Sequence, residues 1–141
     1  MNEDVRLEKK LTLPNDVADV PLLEDFVEEV SEAAGLDMST TLQLNLALEE
    51  AVVNVMEYAY PEGFKGKLCI EALVHSSNLQ LIITDEGRPF DPTKTADVDV
   101  TLSAEERPIG GLGIYLVRQI MDTVSYARVG GKNVLTLTKK L

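Results

Sequence analysis

Several kinds of residue are scarce in this chain of 141 residues, and each shortage excludes a class of site. There is one cysteine, Cys69, so no disulfide can form within the chain, which fits a reducing compartment. The only histidine is His75, and one Cys with one His cannot make a structural zinc site. No apolar run approaches the ~18 residues of a membrane span, and the chain begins with polar residues. We therefore expect a cytoplasmic protein without a membrane span.

Basic residues are also few, since 13 Lys and Arg face 24 Asp and Glu and leave a formal net charge of -11. Such a field repels phosphate backbones, so we expect no sequence-independent binding of nucleic acid. It repels free ATP as well, so any nucleotide site should need Mg²⁺ and local backbone donors. Hydrophobic residues make up 45% of the chain, enough for the core of one compact domain over 1–141.

Hydrophobic periodicity and turn residues predict alternating groups of strands and helices. The predicted order is a strand over 5–13, helices over 15–34 and 39–60, strands over 67–75 and 79–84, a long loop over 86–110, a helix over 112–122, and strands over 124–129 and 133–141. Strands joined by hairpins favour a mostly antiparallel mixed sheet, with the helices covering one face. The predicted fold class is thus α/β (α+β), a two-layer sandwich.

The second predicted helix carries Glu50 and Asn54 one turn apart, beside its apolar stripe. Asn is a poor helix former, so its place beside a core stripe calls for a reason. Its amide oxygen suits Mg²⁺, which takes oxygen ligands, and Glu50 could accept a hydroxyl proton. The alternative interpretation is a boundary Asn bonded to a loop, next to a solvated Glu.

Asp85 ends a predicted strand just before Gly87, on the same face as Leu81 and Ile83. That face should be the covered one, where a lone carboxylate is costly and must be paired. An adenine amino group is a suitable donor, and Gly87 would let a base or a bridging water approach the backbone. The alternative is a strand-end Asp that caps the following turn.

Glycines then open the last predicted helix, in the sequence GGLG over 110–113. Glycines at such a junction leave backbone N–H groups free to bind phosphate, although a flexible hinge is the alternative. The pattern is not a dinucleotide fingerprint, because Leu116 stands where the third Gly belongs. Gly130 and Gly131 are interpreted as a hairpin turn.

In this order, the three stretches resemble the nucleotide-binding boxes of the GHKL ATPases. Residues 50–54 (EAVVN) look like the N box, residues 85–92 (DEGRPFDP) like the G1 box, and residues 110–113 (GGLG) like the G2 box. Within that superfamily, the phrases PFDP and GGLGIYLVRQIMD are similar to bacterial anti-sigma factors with serine-kinase activity. The likeness extends over essentially the whole chain from about residue 10.

The resemblance implies a Bergerat-type fold that binds ATP and Mg²⁺, with residues 88–109 as the ATP lid. Asn54 would then ligand Mg²⁺, and Glu50 would act as the catalytic base toward a protein serine hydroxyl. Asp85 would hold the adenine amino group, and Gly87 would shape the base pocket. Phosphate contacts would fall on the glycine turn: Gly110, Gly111, Leu112 and Gly113.

The function that follows is an ATP-dependent serine-protein kinase and anti-sigma factor. It would bind a sigma factor or similar regulator, phosphorylate a small antagonist protein and form a homodimer. One departure is Pro89, which stands where many relatives have a second glycine and which stiffens the start of the lid. It leaves open an ATP-binding interaction module without turnover. A third possibility is an acidic scaffold that binds no nucleotide.

Overall fold

Five strands form one sheet in the computed structural model, which describes residues 5–61, 63–94 and 111–141. The strands are β1 (Val5–Pro14), β2 (Lys67–His75), β3 (Asn78–Asp85), β4 (Thr123–Val129) and β5 (Lys132–Lys140), in the spatial order β1-β2-β3-β5-β4. Each neighbouring pair of described strands is antiparallel, so the sheet is antiparallel throughout rather than mixed. The predicted two-layer sandwich is confirmed, with β1 at one edge.

Three α-helices bury their apolar residues against one face of this sheet in a common core. They are α1 (Leu23–Ala34), α2 (Met38–Tyr58) and α3 (Gly111–Ile120); the chain also forms short 3-10 helices at Val17–Leu22 and Pro92–Lys94. In the described parts of the chain, no helix is both long and apolar enough to cross a bilayer.

Strands β2 and β3 alternate strictly between buried and partly exposed side chains. This alternation is expected of an antiparallel sheet that has one covered face. Glu71 and Gln80 lie on the uncovered face, whereas Asp85 lies on the covered face with Leu81 and Ile83, as predicted. The strand therefore delivers a carboxylate to the edge of the core.

The helix ends follow from capping residues and from one proline. The predicted helix over 15–34 begins as a 3-10 segment that contains Pro21, and the α-helix starts only beyond it, because proline has no N–H to donate. The helix ends at Ala34, as predicted, because Gly35 follows it in the left-handed conformation (φ 71°). Helix α2 begins one residue earlier than predicted because Asp37 caps it, accepting from the N–H of Thr40 at 2.7 Å.

Gly130 and Gly131 join β4 to β5 in a two-residue turn with φ angles of 57° and 80°. Two positive φ angles are typical of the hairpin turns that match strand twist, so the predicted turn is confirmed. The turn fixes the register of β5, and β5 in turn places Asn133 directly opposite Asp85 on β3. The hairpin thereby determines which side chain meets the buried carboxylate.

Candidate functional site

Helix α2 positions Glu50 and Asn54 at the margin of its buried face. Its core stripe is fully buried, as predicted, and includes Leu44, Leu48, Ala51, Val52, Val55 and Ala59. Asn54 is buried with this stripe, whereas Glu50 is partly exposed. The two side chains thus lie beside the apolar stripe, as predicted, with the amide buried and the carboxylate half-buried.

The first turn of α3 lies directly against both side chains. A β-carbon built on Gly113 would stand 2.9 Å from Glu50 Oε2 and 3.4 Å from Asn54 Nδ2. Helix α3 begins at Gly111, one residue earlier than predicted, and ends at Ile120, two residues earlier than predicted. Gly113 therefore lies inside the helix, and the first and third predicted stretches meet. Gly110 and the lid residues 95–109 lie outside the described residues.

The surroundings of Glu50 favour its neutral form. Partial burial raises the pKa of the Glu50 carboxyl, and the negative charges of Glu49 and Glu57 on the same helix raise it further. A carboxylate whose pKa moves toward neutrality binds a proton more strongly and is a better general base. Glu50 is thus chemically suited to accept a proton at the mouth of the α2–α3 contact.

Asp85 is the most deeply buried carboxylate of the site, with only 2% of its surface exposed. It accepts from the N–H of Gly87 at 2.8 Å and from Asn133 Nδ2 at 2.9 Å, and both bonds end on Oδ1. Burial raises the pKa of Asp85, and these two bonds and the nearby charge of Arg128 oppose the rise. The bond from Gly87 is the turn cap that the sequence allowed as the alternative for Asp85.

Asn133 belongs to this site and was missed from the sequence. Its amide nitrogen donates to Asp85 and to the carbonyl oxygen of Arg88 at 2.8 Å. Its amide oxygen accepts from the N–H of Phe90 at 3.2 Å and from Tyr126 Oη at 2.5 Å. A signal existed, because period two places Asn133 on the buried face of its strand, where a polar residue needs partners. One side chain therefore joins β3, β4 and the start of the lid.

Gly87 is held against the end of α2. A β-carbon at Gly87 would lie 2.3 Å from the carbonyl oxygen of Ala59, so a larger residue would overlap backbone. The same oxygen accepts from the N–H of Arg88 at 2.8 Å, and Arg88 Nε donates to the carbonyl of Tyr58 at 2.9 Å. Packing against α2 is thus sufficient to require a glycine at position 87, whether or not adenine also approaches it.

The described start of the predicted lid, at Arg88 and Phe90, is held against the end of α2. Phe90 lies against Tyr58, with ring centroids 5.6 Å apart. Ala59, which contacts Gly87, follows Asn54 by about 7.5 Å along a helix axis. The Asp85 group and the Glu50–Asn54 group are therefore arranged along one helix, in the order that an extended ligand would meet them.

A metal at this site would have to take part of its coordination from a ligand or from water. The described residues contain no group of three His, Cys, Asp or Glu side chains that could hold a metal ion. Mg²⁺ commonly binds through one or two protein oxygens and completes its shell with phosphates and water. The amide of Asn54 beside the N-terminus of α3 fits such a site.

Comparison with known proteins identifies the family of the domain. The family of histidine kinase-like ATPase domains matches residues 13–139. The serine-protein kinase RsbW of Listeria monocytogenes serovar 1/2a is 30% identical over 99 residues, which cover 67% of this chain but only 63% of that relative. The serine-protein kinase RsbW of Bacillus cereus is 26% identical over 135 residues, covering 92% of this chain and 84% of the relative.

A solved structure shares the fold. The structure of the RsbU and RsbW domains of Rv1364c from Mycobacterium tuberculosis matches 96% of this chain and 32% of that chain. Its TM-score is 0.66 at 17% sequence identity, which supports the fold alone. The match over 13–139 supplies the family, and the chain belongs to the histidine kinase-like ATPase domains, where it is similar to the RsbW serine-protein kinases.

Proposed function

We propose that the chain is an ATP-dependent serine-protein kinase and anti-sigma factor. It binds a sigma factor or similar regulator, and it transfers the γ-phosphate of ATP to a serine of a small antagonist protein. The observation that carries the proposal is the position of Gly113, whose helix N-terminus lies against both Glu50 and Asn54. The names of the relatives and the family resemblance support the kinase activity and the protein partners, and the resemblance also implies a homodimer, which light scattering can test.

The adenine end of the nucleotide belongs at Asp85. The hydrogen bonds that the described residues make to this carboxylate end on Oδ1. Oδ2 can then accept from the exocyclic amino group of adenine, and the two anchoring bonds hold the carboxylate in place for it. The opposing effects of Asn133, Gly87 and Arg128 on its pKa favour the ionised acceptor that this role needs.

The triphosphate belongs at the start of α3. The first N–H groups of a helix have no partner within the helix, and the helix dipole adds to their attraction for anions. Gly113 brings those groups close to Asn54, whose amide oxygen would be a ligand to Mg²⁺. Bound Mg²⁺ would neutralise phosphate charge, which is much of what phosphoryl transfer requires of its catalyst. It would also offset the repulsion of ATP by a chain of net charge -11.

Glu50 is the proposed general base. As the serine oxygen bonds to the γ-phosphorus, the bond from that phosphorus to the ADP oxygen breaks, and the hydroxyl proton passes to the Glu50 carboxylate. Its raised pKa makes this carboxylate a stronger proton acceptor. Its partial exposure leaves it accessible to a serine of another protein.

The test incubates the chain with Mg²⁺, γ-³²P-labelled ATP and each small antagonist protein encoded in the same genome. We expect label on one serine, identified by mass spectrometry. We also expect its loss in Glu50→Gln, which keeps the side-chain shape, while the affinity for ATP stays within about twofold of wild type. No labelled protein from a chain that binds ATP would overturn the kinase proposal.

That outcome would leave the second candidate, an ATP-binding interaction module without turnover. The observation that favours it is the stiff stem of the lid, where Pro89 follows the Arg88 contacts to the end of α2. In such a module, Glu50→Gln would leave both ATP binding and partner binding unchanged. The two candidates therefore separate on one variant.

A further inference from the structure

A second surface lies between α1 and the N-terminal half of α2. It is a groove of about 1000 Å³. The residues that line it are Glu24, Asp25, Val27, Glu28, Glu29, Ser31, Glu32, Leu36, Met38, Thr41, Leu42 and Asn45. None of the residues assigned above to nucleotide binding or catalysis belongs to this set.

One wall of the groove is an exposed apolar row on α2. Met38 is 80% exposed and Leu42 66% exposed, and Leu46 continues the row at the same spacing of four residues. Residues four apart on a helix are neighbours on its surface, so these side chains form a continuous strip. Scattered apolar residues on a surface are ordinary, but a contiguous strip beside a groove is typical of an interaction site.

The opposite wall is acidic. No lysine or arginine is among the residues that line the groove. Five carboxylates of α1 line it: Glu24, Asp25, Glu28, Glu29 and Glu32. Glu29 is paired with Lys9 of β1. An apolar strip faced by acidic side chains is complementary to a helix that carries apolar residues on one side and basic residues beside them.

The floor of the groove contains buried polar atoms without partners. Ser31 is only 3% exposed, and its Oγ has no hydrogen-bond partner among the described residues. The same holds for Oδ1 of Asn45, whose Nδ2 donates to Glu49 at 3.1 Å. Buried polar groups are nearly always satisfied, and one left without a partner costs about 1–3 kcal/mol. Both residues line the groove, and a rotation of each side chain would turn its oxygen toward the donors of a bound ligand.

We propose that this groove is the docking site for a cationic amphipathic helix of a protein partner. The apolar side of that helix lies on Met38 and Leu42, and its lysines or arginines bind the carboxylates of α1. A polar donor on the same helix satisfies Ser31 and Asn45 once these side chains rotate toward the groove. A second copy of this chain is a poor occupant, since two-fold pairing would bring acidic wall against acidic wall.

The groove shares none of the residues proposed to bind ATP, but it lies next to the proposed catalytic base. Leu46, the last residue of the apolar row, precedes Glu50 by one helical turn on α2. A helix docked along the row would thus hold its protein close to the proposed site of phosphoryl transfer. The docking test needs no nucleotide, so it stands or fails separately from the proposed kinase activity.

The test uses a fluorescent synthetic helix of about four turns, with leucines on one side and lysines on the other, at ~0.15 M salt. A scrambled peptide of the same composition cannot form an apolar side and is the peptide control. We expect the wild-type chain to bind the amphipathic peptide at least about tenfold more tightly than the scrambled one. We expect Leu42→Gln and Glu28→Lys each to weaken that binding by about tenfold, or about 1.4 kcal/mol.

Two control variants match these changes at sites away from the groove. Val129→Gln replaces another exposed apolar residue, in β4, and Glu8→Lys makes the same charge change on β1. We expect both controls to bind the peptide like wild type. Equal weakening by Glu8→Lys and Glu28→Lys, or equal binding of the two peptides, would overturn the proposal. Either result would mean that the peptide is attracted only by the net negative charge of the chain.

A second readout separates docking from folding and from nucleotide binding. The substituted side chains are exposed, so we expect melting temperatures close to wild type and an unchanged shift on addition of ATP and Mg²⁺. Amide chemical-shift changes on addition of the amphipathic peptide should centre on Ser31, Leu42 and Asn45. Shifts centred elsewhere would contradict the assigned groove even if the peptide binds tightly.

Discussion

Gly113 lies so close to Glu50 that a β-carbon at Gly113 would stand 2.9 Å from Glu50 Oε2. Real β-carbons essentially never approach an atom that closely, so the absence of a side chain at Gly113 sets the distance between α3 and the proposed base. The same missing side chain brings the helix N-terminus to Asn54. The glycine turn therefore lets α3 pack closely against α2, apart from its proposed part in binding phosphate.

Gly113→Ala should reduce phosphoryl transfer without unfolding the chain. The new methyl group meets the far end of a flexible, partly exposed side chain, so Glu50 can move aside at little cost in stability. A base displaced by even 1 Å loses much of its effect, so we expect a fall of roughly tenfold to a hundredfold in the rate. Rates of ³²P transfer and thermal melts measure the two effects. An unchanged rate would contradict the assignment of Glu50 as the general base.

Gly87→Ala should act on stability instead. Its methyl group would meet the carbonyl oxygen of Ala59, and backbone cannot move aside as a side-chain end can. Overpacking of this kind costs about 1–3 kcal/mol in the free energy of unfolding, sometimes more. Urea titration measures this free energy. A value within about 0.5 kcal/mol of wild type, the range of an ordinary surface change, would show that Gly87 does not lie against α2.

Asp85→Asn separates recognition of adenine from folding. The Asn side chain keeps an oxygen to accept from Gly87 and Asn133, but it presents an amide donor in place of Oδ2. Adenine then meets a donor where it needs an acceptor, and a hydrogen bond to a charged group is worth about 1.5–3 kcal/mol. We expect ATP affinity to fall by at least about tenfold, as measured by calorimetry. Unchanged affinity for ATP would show that adenine does not bind at Asp85.

The stability of Asp85→Asn relative to wild type should depend on pH. Burial raises the pKa of Asp85 above its ordinary value of 3.8, so the native state binds this proton more strongly than the unfolded chain does. The resulting stability is fully present below pH 3.8 and is lost as pH rises through the raised pKa. Relative to wild type, Asp85→Asn should therefore be most stable near pH 7, and this advantage should shrink on acidification. Urea titrations across that range test the sign.

Asn133→Ala should destabilise the surroundings of Asp85. The change leaves Asp85 with the N–H of Gly87 but without the donor on β5, and it removes the same donor from the carbonyl of Arg88, at a cost of about 1–3 kcal/mol. Thr136→Ala, on the opposite face of the same strand, is the matched control and should change the free energy of unfolding by less than about 0.5 kcal/mol. Equal effects of the two changes would mean that Asn133 contributes only as an ordinary strand residue.

Much of the fold follows from local patterns, because caps and turns act over a few residues. Gly35, Gly130 and Gly131 were predicted correctly in this way. The start of α1 was less accurate because Pro21 changes the first turns from α-helical to 3-10. Local signals therefore define the elements better than their ends.

The residues of the candidate site also differ in whether local patterns are enough to predict them. Glu50, Asn54 and Asp85 could be proposed as site residues from their positions within one helix or strand. Asn133 could not be paired with Asp85 before the register of β5 was known, and that register depends on a turn and on a neighbouring strand. The contact between Gly87 and Ala59 is tertiary as well. Residues that hold a site together from distant parts of the chain are the hardest to read from a single sequence.

Thermal melts of wild type and Asn54→Ala test most directly whether a Mg²⁺–nucleotide site lies where α2 contacts α3. Each protein is melted alone, with ATP, and with ATP and Mg²⁺. At a hundredfold excess over the dissociation constant, binding should stabilise the wild type by about 2.7 kcal/mol. We predict a Mg²⁺-dependent rise in melting temperature that shrinks in Asn54→Ala. No rise in the wild type, or an equal rise in both proteins, would contradict this site.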